Sequence, residues 1–334
     1  MLSRSIAIDL GTANSIVYVS GKGIVLQEPT VVAVTIDDEK VVAIGNDART
    51  MLGKTPESIM ALRPLKSGVI ADYATTEALL RYFVDKVVGR SRFLKPDIMI
   101  SIPAGATSVE ARAVLDAAYS AGAKNAYLIP EPLAAAIGTG LPISEPSGNM
   151  VVNIGGGTTE IAIVSLYGMV AHGSVRVAGN SFDESISQHL RRTYNLLIGD
   201  NTAEYVKIRI GSAKALEKPE YLEVKGRDSI SGLPKTINVT SGEITECLSQ
   251  PLSQIAITIK NVLEKTPPEL SSDIIDKGIV LSGGSSQLRN LDKYITSYTG
   301  VPAHVSDDPH LCVVKGIGKA LENFSMFEKS LTKK

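Results

Sequence analysis

Two segments of this chain carry the same order of residue types: an apolar β-branched run, an Asp or Asn, a Gly/Thr cluster and a second apolar run. They are residues 6–17 and 151–162. Two apolar runs joined by a short Gly-containing turn predict a hairpin of two strands. Glycine lets the backbone come close to a ligand, and the N–H groups and polar side chains of such a turn are donors suited to phosphate oxygens. One such hairpin is usually only structural, whereas two copies in the same order favour a duplicated, two-domain nucleotide clamp.

Length and charge narrow the class of protein. With 334 residues the chain is long enough for two domains or lobes, each with its own core. Its net charge of −1 does not indicate general nucleic-acid binding. Cys247 and Cys312 form no spaced motif and suit a reducing compartment. Because the sequence shows neither a signal peptide nor an apolar run of about 20 residues, we expect a cytoplasmic protein whose membrane contact is peripheral.

Strand-like runs alternate with helical patterns, which is typical of α/β lobes. Thr107 and Glu110 predict a capping box at the start of a helix that stops at Gly122, and an apolar stripe at helical spacing ends at Gly89. Residues 131–140 predict a helix of small residues, which is either a hinge between lobes or an ordinary buried helix.

Two further stretches depart from the α/β alternation. Residues 218–241 are polar and rich in Gly, Pro and Ser, and they predict an inserted small subdomain or edge hairpin. Residues 322–334 mix large apolar side chains with charges, and they predict either a partner or membrane helix or a frayed terminus.

A third Gly cluster follows an apolar strand in residues 278–289, and strand, Gly pair and helix start form an anion-facing arrangement. Alone it is a weak signal, but in this order with the two hairpins it is strong. The sequence resembles the actin/Hsp70/sugar-kinase superfamily and, most closely, the MreB family of bacterial actin-like proteins. The resemblance runs along essentially the whole chain and includes residues 21–26, 63–72, 174–179 and 194–199.

The resemblance implies an α/β, actin-like fold, which is a duplicated ribonuclease H-like, two-lobed ATPase with ATP or ADP and Mg²⁺ in the cleft. It also implies four subdomains. Their expected bounds are 1–31, 65–138 and 313–334 for IA, 32–64 for IB, 139–178 and 242–312 for IIA, and 179–241 for IIB.

Residue by residue, the resemblance assigns roles within that cleft. The residues assigned to the nucleotide are Asp9, Gly11, Thr12, Ala13 and Asn14 in the first phosphate loop, Asn153, Gly155, Gly156, Gly157 and Thr158 in the second, Glu204 and Lys207 on the ribose and adenine side, and Gly283, Gly284 and Ser285 by the adenosine. Asp9 is assigned to the metal, through its waters. Glu131 and Thr158 are assigned to orienting the attacking water. Orienting a water is sufficient chemistry because phosphoryl transfer needs mostly positioning and charge stabilisation.

Three positions depart from the family pattern. Pro130 replaces the usual acidic residue before Glu131, and we expect it to shift the hinge helix and with it the placement of Glu131. The second phosphate loop of the family normally begins with Asp, and here it begins with Asn153. An amide keeps the shape and the hydrogen-bonding capacity of the carboxylate, but it lacks the negative charge that helps to hold Mg²⁺. We therefore hypothesise that ATP hydrolysis is weakened while nucleotide binding survives, which leaves the ATPase activity open. Ser285 stands where the family usually has a third Gly.

The MreB resemblance also implies partners. It implies self-association into antiparallel double filaments, contact with an anionic membrane surface at the inner face of the cell membrane, and work with cell-shape or wall-synthesis membrane proteins. Phe93 and Leu94, with basic residues on both sides, are the candidate insertion loop. The alternative is that both side chains cap the core of their lobe.

Three other functions share the nucleotide clamp. A small-molecule kinase would need a general base beside the loops, and no convincing extra Asp or His is evident in the sequence. A chaperone of the Hsp70 type would need a peptide-binding domain after the clamp. A plasmid-segregating actin is a closer alternative, but residues 63–72 and 194–199 favour the MreB family. The sequence therefore predicts an ATP-binding, filament-forming protein that determines cell shape.

Overall fold

The computed structural model describes residues 5–89 and 95–333. The strands in this part of the chain are β1 Ser5–Leu10, β2 Asn14–Val19, β3 Gly23–Pro29, β4 Val32–Thr35, β5 Val41–Ile44, β6 Ile59–Leu62, β7 Leu65–Lys66, β8 Val69–Ile70, β9 Asp97–Ile102, β10 Asn125–Pro130, β11 Asn149–Ile154, β12 Thr159–Ser165, β13 Gly168–Val175, β14 Leu196–Leu197, β15 Tyr221–Asp228, β16 Pro234–Thr240, β17 Ile279–Ser282, β18 Ala303–Val305 and β19 Thr332–Lys333. The helices are α1 Asn46–Met51, α2 Tyr73–Val88, α3 Ser108–Ser120, α4 Glu131–Gly138, α5 Gly179–Tyr194, α6 Asp200–Ile210, α7 Ser241–Cys247, α8 Ser249–Glu264, α9 Pro268–Lys277, α10 Leu291–Thr299, α11 Cys312–Glu322 and α12 Phe324–Phe327.

Two large sheets share one topology. The first has the order β19-β10-β9-β1-β2-β3 and the second the order β13-β12-β11-β17-β18. In each, a three-stranded antiparallel meander continues into two parallel strands, β1-β9-β10 in the first sheet and β11-β17-β18 in the second. The two predicted hairpins are β1–β2 and β11–β12, so the internal repeat in the sequence is confirmed as a repeat of the fold.

Each half also carries an insertion of smaller sheets. The order β5-β4-β6 and the two-stranded hairpin β7–β8 lie between β3 and α2 in the first half. The sheet β14-β15-β16 belongs to the second half, and its hairpin β15–β16 confirms the edge hairpin predicted for residues 218–241.

Hydrophobic cores lie on both sides of the sheets. Leu79 and Phe83 of α2 are buried against the first sheet, and Phe182 of α5 is buried against the second. A central cluster between the two sheets includes α4 and α11. The backbones of these two helices come very close where they cross. A Cβ on Gly316 would lie only 1.7 Å from the Ala134 carbonyl oxygen. Glycine is therefore required at this crossing.

The predicted helix signals are confirmed. The Thr107 hydroxyl accepts a hydrogen bond from the Glu110 N–H at 3.2 Å, and Glu110 Oε2 accepts one from the Thr107 N–H at 2.7 Å. Helix α2 ends before Gly89, whose φ of 76° is unfavourable for other residues. The small-residue helix is α4, and its role as a hinge stays a prediction.

Two local expectations were wrong in detail. The third Gly cluster leads into a short 3₁₀ turn, Gly284–Gln287, rather than directly into an α-helix. The C-terminal stretch is neither an exposed helix nor frayed, because β19 pairs with β10. Phe327 of the same stretch is buried in the central cluster, with Phe324 and Leu331 packed beside it. The apolar side chains of the tail therefore complete the core.

Candidate functional site

The turns of the two repeated hairpins face each other. A Cβ on Gly156 would lie 2.7 Å from the Ala13 Cβ, and a Cβ on Gly157 would lie 2.5 Å from the Thr12 hydroxyl. Side chains at these two positions would force the turns apart, so glycine is required by the approach of one loop to the other. The Gly-rich sequence of the second loop is thus explained by its contact with the first.

A cavity of about 960 Å³ opens between the two turns. All the residues that the sequence assigned to the nucleotide or to hydrolysis line it, from Asp9 and Glu131 to Lys207 and Ser285. The lining also includes charged residues that sequence reasoning did not single out, namely Arg49, Arg63, Asp183, Glu184, Asp200 and Arg289. The structure therefore brings the predicted site together in one cleft, with a rim whose charges the sequence did not indicate.

The floor of the cleft is a chain of polar contacts between the two halves. Asp9 Oδ1 accepts a hydrogen bond from the Ser101 hydroxyl at 2.9 Å. Glu131 Oε1 accepts one from the Asn153 side-chain amide at 2.7 Å, and Asn153 Oδ1 accepts one from the Ser282 hydroxyl at 3.0 Å. Asn153 therefore uses both ends of its amide, which an aspartate could not do because a carboxylate only accepts.

Glu160, the second residue of β12, was missed as a site residue. It is completely buried beneath the second loop. Its carboxylate accepts hydrogen bonds from the Ser174 hydroxyl at 2.6 Å and from the Ala104 N–H at 3.0 Å, and so joins the two halves. It also interacts with the Thr158 side chain. The sequence did hold a signal, because Glu160 is the one acidic residue of a largely apolar strand. A buried charge is costly unless it has partners, so such a residue indicates a specific set of contacts.

Three carboxylates near this floor resist ionisation. Burial raises the pKa of Asp9 to about 6, against the hydrogen bond from Ser101. Burial also raises the pKa of Glu160 to about 7. The pKa of Glu131 lies well above its usual range because of burial and then the charges of Glu160 and Asp9, against the hydrogen bond from Asn153. The cleft floor therefore favours a bound cation, which would stabilise the ionised forms.

The carboxylates do not make a metal centre unaided. Within residues 5–89 and 95–333, no group of three or more His, Cys, Asp or Glu side chains is arranged to hold a metal ion. Mg²⁺ commonly uses one or two carboxylates together with substrate phosphates and waters, so a site completed by a nucleotide fits these residues. Asp9 is the carboxylate in the first loop that suits this role.

The predicted adenosine side is held together by hydrogen bonds and ion pairs. Lys207 Nζ lies 2.9 Å from the Asp183 carboxylate and also donates to the Gly179 carbonyl at 3.2 Å. The Ser285 hydroxyl donates to the Gly155 carbonyl at 2.7 Å, so the serine that departs from the family pattern ties the third Gly cluster to the second loop.

An ion pair spans the mouth of the cleft. Arg49 Nη2 on α1 lies 2.9 Å from Glu204 Oε2 on α6, so it joins the insertion of the first half to that of the second. Both side chains keep a substantial exposed fraction, 42% and 34%. The pair closes the outer edge of the cleft in the structure.

The predicted membrane loop cannot be placed, because Phe93 and Leu94 lie outside the residues that the structure describes. In the parts of the chain that are described, no helix is both long and apolar enough to cross a membrane.

Comparison with known proteins identifies relatives of the whole chain. A family model described as "MreB/Mbl protein" matches residues 3–329. The cell shape-determining protein MreB of Escherichia coli strain K12 is 49% identical over 332 residues, which cover 98% of this chain and 95% of that protein.

Solved structures show the same architecture. MreB5 of Spiroplasma citri bound to AMPPNP superposes with a TM-score of 0.93 at 36% identity, covering 98% of this chain and 99% of that one. The MamK double helical filament superposes with a TM-score of 0.82 at 22% identity, covering 96% of this chain and 98% of that one, and this likeness concerns the fold alone. The predicted actin-like, two-lobed α/β fold is confirmed.

Proposed function

The chain belongs to the MreB/Mbl family, and from this premise we propose that it binds ATP and ADP, assembles into filaments and determines cell shape. The observation that carries the proposal is the meeting of two repeated phosphate loops across one cleft, at Ala13 and Gly156. Backbone N–H groups of both turns would then bind the phosphates from opposite sides. The MreB5 relative was solved bound to AMPPNP, which supports nucleotide binding by this chain.

Mg²⁺ bound with the nucleotide would supply positive charge against the phosphate oxygens. Asp9 is the residue proposed to hold it through water. Glu204 and Lys207 are proposed to contact the ribose and adenine side, where Glu204 now pairs with Arg49 and Lys207 with Asp183. Without a nucleotide, these two ion pairs balance the charges of Glu204 and Lys207.

Glu131 and Thr158 are proposed to orient the attacking water. The Asn153 amide contributes no negative charge to the metal side, and its hydrogen bond at 2.7 Å occupies one oxygen of Glu131 and lowers the pKa of that carboxyl, against the larger effect of burial. A weaker base accepts the proton of the water less readily. Both effects support the proposal that hydrolysis is slow while nucleotide binding is retained.

Self-association is proposed from the fold and from the relatives. A head-to-tail contact that does not close produces a filament, and the MamK relative is a double helical filament. For this chain we propose antiparallel double filaments. Each subunit would have the four subdomains whose bounds are given above. Family membership disfavours a small-molecule kinase.

Membrane association is proposed on the sequence of one loop. Phe93 and Leu94 would insert among acyl chains while neighbouring basic residues contact anionic headgroups at the inner face of the cell membrane. Cell-shape or wall-synthesis membrane proteins would then be the partners. Co-sedimentation with anionic vesicles is expected to fall strongly in a Phe93→Ser, Leu94→Ser variant, and unchanged binding would exclude this loop as the main anchor.

Sedimentation with ATP, ADP and AMPPNP in Mg²⁺ tests the main proposal. Nucleotide-dependent pelleting with slow phosphate release is expected. Gly156→Ala, whose Cβ would meet Ala13, should lose nucleotide dependence. The matched variant Gly199→Ala, with nothing within 4 Å of the added carbon, should retain it. Phosphate release without pelleting, accelerated by a small hydroxylated substrate, would contradict the proposal and favour a kinase.

A further inference from the structure

Glu28 on β3 is a buried carboxylate that none of the steps proposed above uses. Only 7% of the residue is exposed. Its neighbours in the strand, Gln27 and Pro29, line the nucleotide cleft, whereas Glu28 itself does not. A buried charge is costly unless it has hydrogen-bonding partners, so the partners of Glu28 indicate what it does.

One oxygen of Glu28 caps helix α1. Oε2 accepts a hydrogen bond from the Asn46 N–H at 2.9 Å and another from the Asn46 side-chain amide, also at 2.9 Å. The N-cap residue of α1 is Gly45, which has no side chain to satisfy the first N–H groups of the helix. A Cβ at Gly45 would overlap the Glu28 carboxylate, so this approach requires glycine. Glu28 therefore replaces the missing cap and places a negative charge at the positive end of the helix dipole.

The other oxygen of Glu28 is held by α2. Oε1 accepts hydrogen bonds from the Tyr82 hydroxyl at 3.3 Å and from Lys86 Nζ at 3.2 Å. Lys86 Nζ also lies 4.6 Å from the centre of the Tyr82 ring, in a cation–π contact. Because the two donors are one turn apart on the same face of α2, they fix the carboxylate from one side while α1 binds it from the other.

Helix α1 depends on this cap for its position. It has six residues, which is fewer than two turns, and such short helices are unstable in isolation. Ala48 is its one buried residue, and it packs in a small cluster with Val31 and Ala33. The hydrogen bonds to Glu28 are therefore a main determinant of where α1 lies.

Arg49 connects the position of α1 to the nucleotide cleft. It follows Asn46 by three residues, and its guanidinium lies 2.9 Å from Glu204 on α6, across the mouth of the cleft. The attraction between two charges falls with their distance, so a shift of α1 would weaken this ion pair. Contacts thus run from α2 through Glu28 and α1 to the mouth of the cleft.

We propose that Glu28 is a positioning residue for nucleotide retention: by capping α1 it holds Arg49 within reach of Glu204, and the closed mouth keeps the nucleotide in the cleft. This inference rests on the proposed function, because it requires a bound nucleotide. Glu28 does not line the cleft, so it acts through Arg49 and not on the ligand. When the cap is lost, α1 moves, the ion pair opens and the nucleotide leaves faster.

A double-mutant cycle on ADP dissociation tests the inference, by stopped-flow chase with a fluorescent ADP analogue. Glu28→Gln keeps the size of the side chain but cannot accept hydrogen bonds at both ends. We expect ADP dissociation to become about threefold faster, as in Arg49→Gln, because the same exposed ion pair is lost. Combining the two substitutions should give no further increase. A general loosening of the structure, independent of Arg49, would instead multiply the two effects.

Asn46→Ala repeats the test at an exposed residue, where the substitution is compatible with folding. It removes the side-chain hydrogen bond to Glu28 and keeps that of the backbone, so ADP dissociation should become about twofold faster, and only while Arg49 is present. Glu110→Gln is the matched control, since Glu110 also caps a helix, α3, and does not line the cleft. It should leave ADP dissociation unchanged.

ADP affinity of the unmodified protein separates this inference from the proposed function. Absence of ADP binding would contradict the proposed function itself. Intact ADP binding, with an unchanged dissociation rate in Glu28→Gln or with effects that multiply in the double variant, would overturn the inference alone. If Glu28→Gln does not fold, Asn46→Ala with and without Arg49→Gln decides by the same two criteria.

Discussion

In the half of the molecule built on β1, Asp9 accepts a hydrogen bond from Ser101, which lies on the neighbouring parallel strand β9. In the half built on β11, the matching position holds Asn153, which accepts one from Ser282 on the neighbouring parallel strand β17. Strand order, serine and loop are repeated, while the carboxylate is not. At this position, two structurally equivalent loops therefore differ by an amide in place of a carboxylate.

That difference has a consequence for the floor of the cleft. The amide of Asn153 donates to Glu131, whereas Asp9 contributes charge that raises the pKa of Glu131. Asn153 thus stabilises the ionised form of Glu131, which burial and the charges of Glu160 and Asp9 destabilise. Variants that change one residue of this floor at a time are the way to measure each contribution.

The largest effect is expected where the two halves cross. In Gly316→Ala the new carbon would lie 1.7 Å from the Ala134 carbonyl oxygen, so helices α4 and α11 must separate. We expect a loss of about 3 kcal/mol or more in the free energy of unfolding, measured by urea denaturation. Gly199→Ala, where the added carbon meets nothing within 4 Å, should change it by less than about 1 kcal/mol. Equal stability of the two variants would show that the halves do not depend on this crossing.

The next effect concerns Glu160, which joins the halves from beneath. Burial raises its pKa from 4.5 to about 7. Between these two pH values the folded state without metal therefore keeps a proton that the unfolded state has released. Its contribution to stability is fully present below pH about 4.5 and is lost as the pH rises through about 7, a change of roughly 3 kcal/mol.

Glu160→Gln removes this titration, so the difference in unfolding free energy between variant and unmodified protein should vary with pH over that window. The mismatch between the new amide and the donors of Ala104 and Ser174 adds an offset that does not depend on pH. A difference that is constant from pH 4.5 to 8 would contradict the raised pKa. Thermal melts without metal, at each pH, supply the data.

Asp9→Asn makes the two loops alike by giving both an amide. Because the carboxylate proposed to hold Mg²⁺ is lost, we expect ATP hydrolysis to fall by about a hundredfold at fixed Mg²⁺. Asp47→Asn, at an exposed position on α1, is the control and should retain the rate. Equal rates of ATP hydrolysis in the two variants would show that the Asp9 carboxylate has no special role in the first loop. The readout is single-turnover phosphate release.

The smallest effect is expected at the outer edge, where the insertions of the two halves meet. Arg49→Gln removes the 2.9 Å ion pair with Glu204, and a partly exposed pair is worth up to about 1 kcal/mol. ADP dissociation should therefore become about threefold faster, by stopped-flow chase with a fluorescent analogue. Arg112→Gln, which removes an exposed helical pair at 3.8 Å, should leave it unchanged. An equal rate in both variants would mean that the ion pair does not retain the nucleotide.

The sequence predicted the parts of the fold whose cause is local. Both hairpins follow from turn residues between apolar runs, and helix α3 begins where the Thr107 and Glu110 side chains satisfy its first N–H groups. The residues assigned to the two phosphate loops line one cleft, as a repeated pattern that implies a repeated fold led us to expect, and their roles stay predictions.

The rest depends on contacts between residues far apart in the sequence. Glu160 is tolerated in an apolar strand because Ala104 and Ser174, from two different sheets or their loops, donate to it. Arg49 reaches the cleft because the insertion of the first half places α1 opposite Glu204 on α6. The tail was misjudged because β10 offers an edge to β19 and because Tyr167 packs against Phe327, and neither partner is visible in the tail itself.

We propose that Asn153 sets the difference between the halves and slows turnover. Single-turnover phosphate release, at equal protein and saturating Mg²⁺, compares the unmodified protein with Asn153→Asp. Because the aspartate restores the missing negative charge and removes the hydrogen bond that the Asn153 amide donates to Glu131, we expect a rate about tenfold higher in the variant. Equal rates, with ATP binding intact in both proteins, would contradict it.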